Sequence, residues 1–410
     1  MSGVLFLAHR VPFPPNRGDK IRSHHLLKKL ATLGSVHVGC FAENSEDRAA
    51  VPQIEAVSAS SCVVNRSKSL ALAGAQAVLQ GNPVSLSAFY SAELERWVAK
   101  TIARESIHAI VVFSGQMGQY IPAKYKGRVV TDLCDVDSAK FERYAASGDR
   151  RWLNAREARL LAKEEERLAQ RSDATVLISD AEVSLFRSRL KDSSKANLVA
   201  MGNGIDARFF DPDRVEPHPD LAESDGPHFV FTGQMDYRPN EAAILWAIDH
   251  FLPVVRARYP KARLHVVGRN PTRALRQRSG RPGARVWGEV PDTRPFLAGA
   301  SCVVAPLMIA RGVQNKVLEA MAMARPVLLT PQAATGIDAV DGAHWMTATA
   351  DASAMADRWT ALVSNLGAAR SMGLAARRFV LEKHSWAERL AGLEALVTGE
   401  PAEGESRDAA

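Results

Sequence analysis

The chain has 410 residues, 46% of them hydrophobic and 24% charged, with a formal net charge of +7. That length exceeds one ordinary core and predicts two α/β domains, while the composition excludes fibrous and disordered classes. No run reaches the roughly 18 apolar residues of a membrane helix, and MSGVLFLAHRVPFPP lacks a basic leader and meets Pro12 too soon for a secretory signal, so the expected location is the cytosol.

The chain opens with a strand, GVLFLAH, followed by a Pro/Gly-rich loop, RVPFPPNRGDK, an amphipathic helix from about Ser23 to Leu33 and a second strand, VHVGCF. This is a β-loop-α-β unit. Further apolar runs, AIVVFSG (109–115), RVVTDLCD (128–135) and ATVLIS (174–179), alternate with helical stretches, and the charged helix WLNAREARLLAKEEERLAQR lies between the last two. Short continuous runs of this kind predict a parallel sheet covered on both faces. MGNGIDARFFDPDRVEPHPDLAESDGP then reads as a linker, with a hinge near Asn203 and Gly204. The plan repeats: HFVFTG, the helix NEAAILWAIDHFLPVVRARY, RLHVVG, and the strands ARVWGEV, SCVVAPL and PVLLT. The expected organisation is a doubly wound domain over 1–205, a second over 206–380, a terminal helix over 381–397 returning to the first domain, and a frayed tail over 398–410.

Residues 1–205 hold 28 Lys+Arg against 21 Asp+Glu, and the remainder holds 24 against 24. A basic first half, including Arg10, Arg17, Lys20, Arg22, Lys28 and Lys29, suits an anionic ligand or lipid surface, although ordinary solubility charge explains so small an excess equally well. Basic residues without interleaved aromatics argue against nucleic acid. Cys40, Cys62, Cys134 and Cys302 lack CxxC spacing and read as small core residues rather than a zinc or disulfide framework. His24, His25, Ser114 and Gly115 receive no role.

In parallel sheets ligands bind beyond the carboxyl ends of the strands. RGVQNKVLEAMAMARPVLLT (311–330) fits this rule, because SCVVAPL is a strand, MIARGV a loop and Gln314 to Ala324 a helix. Asn315, Lys316 and Glu319 share one side of its first two turns. Helix N–H groups and Lys316 suit a phosphate, and Glu319 suits a sugar diol; an ordinary surface Lys–Glu pair fits the same spacing. In TDLCDVDSAK, Asp132, Asp135 and Asp137 end a strand and are expected to face a cleft, where a carboxylate such as Asp135 or Asp137 can orient or deprotonate a hydroxyl. Capping of the next helix is the alternative.

The run RGVQNKVLEAMAMARPVL resembles the nucleotide-binding signature of the GT-B glycosyltransferases of family 4, and NGIDARFFDP and VPFPPNRGDKIRSHHLLKKLA resemble their interdomain segment and first loop and helix. GQMDYRPN, GEVPDTRPFLAGASCVVAPL and QNKVLEAMAMARPV look like the exosortase-associated (PEP-CTERM) sugar transferase branch. The resemblance implies a GT-B fold, two doubly wound Rossmann-like domains facing a central cleft. It implies a retaining transfer of sugar from a nucleotide-sugar to a glycan or lipid-linked acceptor in exopolysaccharide assembly, with no cofactor and no obligatory metal. It further implies that Glu319 binds the ribose and that Gly312, Val313, Gln314, Asn315 and Lys316 approach the diphosphate or sugar. Gly233 would let the main chain near the donor, Val290 would meet the base, and Gly18, between Arg17 and Asp19, resembles the loop glycine beside the donor phosphate.

The pattern is broken in places. Arg311 stands where the family has its first signature Glu, Gln234 stands where it has Arg, and its Lys falls near Pro239; Arg238, Arg311 and Lys316 are the expected replacement cations. Peripheral contact with the inner face of the plasma membrane is also expected. A non-catalytic glycan- or membrane-binding protein and a nucleotide-sugar epimerase are the competing readings.

Overall fold

The structure is a computed structural model that describes residues 3–146, 150–310 and 313–400. The chain divides into two units, one running to Asn203 and resumed from Arg389, the other spanning Gly204–Glu388.

In the first unit the strands are β1 (Gly3–Ala8), β2 (Ser35–Ala42), β3 (Ser60–Asn65), β4 (Ile107–Phe113), β5 (Arg128–Cys134), β6 (Ala174–Leu177) and β7 (Leu198–Ala200). They form one sheet in the order β3-β2-β1-β4-β5-β6-β7, with every pairing parallel. All six residues of β1 are buried, which is why its sequence is a continuous apolar run with no alternation. β3 and β7 at the edges were not legible as strands, since SSCVVN and LVA are short and only partly buried.

The second unit carries β8 (His228–Thr232), β9 (Arg263–Val267), β10 (Ala284–Gly288), β11 (Cys302–Ala305), β12 (Val327–Leu329) and β13 (Met346–Thr347). Their order is β10-β9-β8-β11-β12-β13, again parallel throughout. Strand order reverses beside β1 in one sheet and beside β8 in the other. Such reversals open crevices at the carboxyl ends of the strands. Phe229, Phe231, Phe251, Leu264, Val304, Met321 and Leu328 are among the residues that fill this unit's core.

Three helices depart from expectation. The opening helix runs Gly18–Leu33 and so starts five residues before Ser23, because its first inward residues are polar: Lys20, Arg22, Ser23 and His24 are buried alongside Leu26, Leu27 and Leu30. The expected helix 240–259 is Arg238–Trp246, a π-helical turn Ala247–Phe251 and Leu252–Arg258; Pro253 has no N–H to give the regular ladder. Beyond Leu366–Lys383, the terminal segment forms two short helices, Trp386–Arg389 and Leu393–Thr398, with Gly392 capping the second.

Arg22 explains much of how the first unit holds together. It is buried, its guanidinium pairs with Asp132 at 2.8 Å, and it donates to the Asn203 side chain and the Met201 carbonyl. Asp132 is thereby corrected from a cleft residue to an internal counter-ion, with its other oxygen accepting from the Cys134 N–H. Removing one partner leaves an uncompensated buried charge, so Arg22→Met is expected to cost about 3–5 kcal/mol in urea unfolding, and the double variant Arg22→Met/Asp132→Leu less than the sum of its parts.

The expected lipid-facing residues of this region are mostly committed inside the protein. Lys20 pairs with buried Asp47, Arg10 and Arg17 pair with Asp19, and Lys29 pairs with Glu394. Of the six, Arg17 and Lys28 are exposed, so this helix does not offer the basic face that its composition suggests. No helix among the described residues is long and apolar enough to cross a membrane.

Candidate active site

The helix Asn315–Ala322 follows β11 and its loop, and it turns Val317, Leu318, Ala320, Met321 and Ala322 into the core. With that face fixed, Lys316 is carried toward the end of neighbouring β8, and Glu319 lies three positions further along the same helix. The Lys316 ammonium donates to the Asn240 side-chain oxygen at 2.6 Å and lies 4.6 Å from the centre of the Phe231 ring. Asn240 in turn donates to the Gln234 carbonyl at 2.9 Å. This chain of contacts fixes the ammonium beside Gly233. A Cβ added there would stand 3.0 Å from the Asn240 amide nitrogen and 3.5 Å from Lys316 Cε, and Gly233 has φ +150°.

Two further strand-end glycines continue the line. Gly268 after β9 has φ +152°, and a Cβ on it would overlap the Gly233 carbonyl; Gly288, ending β10, has φ +77°. The Gly268 N–H donates to the Gly288 carbonyl. Three left-handed glycines in a row leave a strip of main chain without side chains, to which a ligand can come close. The strip leads to a groove of about 650 Å³ lined by Asp236, Asn270, Thr272, Arg276, Trp287 and Glu289, among others. That volume is in the range of small-ligand sites. Gly233→Ala is expected to lower stability by about 1–2 kcal/mol through the forced backbone conformation and to reduce turnover further by displacing Asn240 and Lys316; thermal melts and kcat measure the two effects separately.

Electrostatics set this corner apart from the surface. Burial pulls the Lys316 ammonium down to about 8, opposed by the charge of Glu319. Glu319 keeps some accessible surface, yet protein surrounds its carboxyl closely enough that burial pushes it up to about 7 against the attraction of Lys316. An exposed Lys–Glu pair would show neither shift.

The remaining expected donor residues are placed as follows. Asn315 and Gln314 stand at the start of the helix, Asn315 exposed. Val313 and Val290 are half-buried against the core of the second unit. Gln234 is exposed, and Arg238 is the exposed first residue of its helix, two positions before Asn240. Arg311 and Gly312 lie outside the described residues. Two participants went unnoticed in the sequence: Asn240, hidden as a polar residue in an apolar helix, and Arg269, which donates to the Gln234 side chain at 2.9 Å. Arg269 directly follows a strand-end glycine, and that position was its signal.

In the first unit, Arg17 precedes the opening helix and Gly18 is its first residue. A Cβ on Gly18 would meet nothing within 4 Å, so no internal packing calls for a glycine there. Asp19 accepts from Arg10 at 2.6 Å and Arg17 at 2.8 Å, with His9 at 3.3 Å. Burial raises its pKa, but the His9 hydrogen bond and the charges of Arg10 and Arg17 outweigh it and hold the carboxyl well below the usual carboxylate range. Glu43 binds Arg10 and Arg66 at 2.7 and 2.8 Å. The loops after β1, β2 and β3 thus bring one connected cluster together, of which Arg10, Glu43 and Arg66 were not assigned to a site from the sequence. His9, pushed toward its neutral form by burial, packs against Phe89 and Phe113.

Asp135 is exposed just after Cys134, whose φ of +66° turns the chain out of β5. Asp137 begins the helix Asp137–Ala146 and lies 3.7 Å from Lys140; burial raises its pKa. The two carboxylates border a void of about 10 Å³ together with Gln116, Glu164 and Glu165. Among the described residues, no group of three His, Cys, Asp or Glu side chains is arranged to hold a metal.

Residues 226–365 match the family model described as "Glycosyl transferases group 1". No curated protein matches the chain in sequence. Among solved structures, the sucrose-phosphate synthase of Thermosynechococcus elongatus aligns with TM-score 0.63 at 15% identity, covering 97% of this chain and 99% of that one. Anabaena HepE in complex with UDP-glucose aligns at 0.64 and 12% identity, covering 97% and 100%, and WaaG, a glycosyltransferase involved in lipopolysaccharide biosynthesis, at 0.61 and 16%, covering 97% and 100%. These likenesses establish the fold over nearly the whole chain. The second unit is thus similar in sequence to the group 1 glycosyltransferases, and the chain has the two-domain GT-B fold of the solved structures above.

Proposed function

We propose that the chain is a retaining glycosyltransferase that moves a sugar from a nucleotide-sugar to a hydroxyl of a glycan or lipid-linked acceptor. The observation that carries this reading is the Lys316 ammonium, clamped by Asn240 beside Gly233, with the Glu319 carboxyl one helical turn deeper. A diphosphate lying along the glycine strip meets Lys316 and the first N–H groups of the helix, which stabilise the charge that develops as the glycosidic bond breaks. Arg269 and Arg238 supply cation charge where the family residues are missing. Glu319 accepts from the ribose diol, and the groove beyond Gly288 takes the base. HepE binds UDP and UDP-glucose, which favours a uridine donor.

With the leaving phosphate accepting the acceptor proton on the face of the sugar from which it departs, the acceptor oxygen bonds to the anomeric carbon on that same face as the bond to the diphosphate breaks, and the anomeric configuration is retained. Asp135 is the first-unit residue assigned to orient the acceptor hydroxyl. Assembly of exopolysaccharide in the exosortase-associated branch rests on the motifs GQMDYRPN and QNKVLEAMAMARPV alone. Proton NMR of the transferred or hydrolysed sugar, read before mutarotation, is expected to show the donor's own anomer first. First appearance of the opposite anomer would overturn the retaining reading.

A further inference from the structure

In the first unit, the helix Leu70–Gln80, sequence LALAGAQAVLQ, is patterned the reverse of an ordinary surface helix. It carries no charged residue. The face turned into the protein uses the small residues Ala73 and Ala77, both fully buried, while Leu72 is 60% exposed, Val78 56% and Leu79 88%. Ala71 and Ala75 are exposed as well. At 3.6 residues per turn, positions 71, 72, 75, 78 and 79 form one continuous stripe. Large apolar side chains in water with small ones inside are not explained by the unit's own packing.

A second element lies beside the apolar helix. The Arg156 guanidinium donates to the carbonyls of Ala77 and Asn82, which seats the long helix Arg151–Arg171 against the end of the apolar one. One turn before Arg156, on the same face, stands Trp152, 72% exposed. Around it Arg150, Arg151, Arg159 and Lys163 are exposed, the last two lining a hollow that Glu142 and Glu166 also border. Between Arg150 and Lys163 Glu157 is the sole acidic residue, and it is turned inward, 3% exposed, to accept from the Val84 and Ser85 N–H groups. Asp149, just before, lies outside the described residues. No acidic residue occurs between Glu55 and Glu93, a stretch that also contributes Arg66 and Lys68.

From this juxtaposition we infer that the face made by Leu72, Val78, Leu79 and Trp152 with its rim of arginines docks on an anionic lipid membrane. An apolar stripe with an indole and flanking cations is the composition of a helix lying in the interface, its apolar side among the acyl chains and its cations among anionic headgroups. Eleven residues are too few to span a bilayer, so the contact is peripheral. Charge argues against a second copy of the chain as the occupant, because a two-fold contact through this face would set one cationic rim against another. The dock brings an enzyme of the proposed function to a surface where lipid-linked acceptors reside. It does not depend on that function, since vesicle binding is read with neither donor nor acceptor present.

The test is flotation of the full chain with vesicles containing about one third phosphatidylglycerol in phosphatidylcholine, compared with phosphatidylcholine alone, at low salt. The wild type is expected to float with the anionic vesicles. Leu72→Glu/Leu79→Glu and Arg150→Glu/Arg151→Glu are each expected to reduce the bound fraction by about tenfold or more. Both doublets alter exposed positions and leave donor hydrolysis and the melting temperature unchanged, which separates lost docking from lost folding. The inference is overturned if the wild type stays in solution with anionic vesicles. It is also overturned if Leu72→Glu/Leu79→Glu floats as well as the wild type. Sedimentation analysis gives a third contrary outcome: a wild-type dimer that this doublet dissociates, with no vesicle binding, would show that the stripe covers a second copy.

Discussion

Lys316→Ala is expected to lower kcat by about 10²–10³-fold while changing donor affinity much less. That is the ordinary effect of deleting one preorganised donor aimed at charge that develops only in the transition state. The size of the loss follows from how the ammonium is held. Asn240 and the Phe231 ring fix it at the end of β8, in a place dry enough to depress its pKa, so it needs no reorganisation as the bond to the leaving diphosphate breaks. A truncated side chain leaves a cavity that water fills with mobile dipoles. Asn240→Ala should reproduce part of the loss, about tenfold, because the ammonium remains but is no longer aimed. Single-turnover kinetics with saturating donor measures both. A Lys316→Ala enzyme that keeps wild-type kcat with only a raised KM would show that Lys316 merely binds the donor.

The second large effect is on pH dependence. Glu319, held up at about 7 by burial, is ionised and able to accept from a diol only above that value. Lys316, held down at about 8, loses its charge above that value. Both groups are charged together only in the narrow interval between, so kcat/KM for the donor is expected to follow a bell with limbs near 7 and 8 that belong to the coupled pair. Glu319→Gln should erase the acid limb and keep the alkaline one. For folding, the sign is different. A carboxyl whose folded pKa is raised contributes its full stability below its unfolded value, and that contribution is lost as pH rises through about 7. Apo Glu319→Gln should therefore melt above the wild type at neutral pH even as donor affinity falls. A donor profile that is flat from about pH 5.5 to about 9.5 would remove both groups from the site.

Much of this architecture was legible in the sequence because parallel strands buried on both faces are written as unbroken apolar runs. β1, β4, β8 and β11 are all of this kind. The edge strands β3, β7 and β13 were not, since a short, partly exposed strand carries little of that signal. The opening helix was misjudged at its start for a related reason: Lys20 and Arg22 look like solvent residues, and only the structure supplies their internal partners Asp47 and Asp132. Periodicity registers that a face is buried only when the face is apolar.

For the candidate site, the sequence supplied the residues but not their neighbours. Lys316 and Glu319 share a helix and were recognisable from their spacing. Asn240, 76 positions away from Lys316, reaches it only through the adjacency of β8 and β11, and no local pattern announces that adjacency. The line of Gly233, Gly268 and Gly288 has the same origin. Each is a lone glycine at a strand end in the sequence, and they become a strip only once the sheet orders β10, β9 and β8 side by side.

The central claim is that the corner formed by Lys316 and Glu319 binds the nucleotide portion of a sugar donor. Titration calorimetry of the wild type and Glu319→Ala with UDP-, GDP- and ADP-sugars, with chelator present, tests it most directly. One nucleotide is expected to bind the wild type and to lose about tenfold or more in affinity on loss of the carboxylate. Equal affinity in the two proteins, or no binding of any donor to the folded wild type, would contradict it.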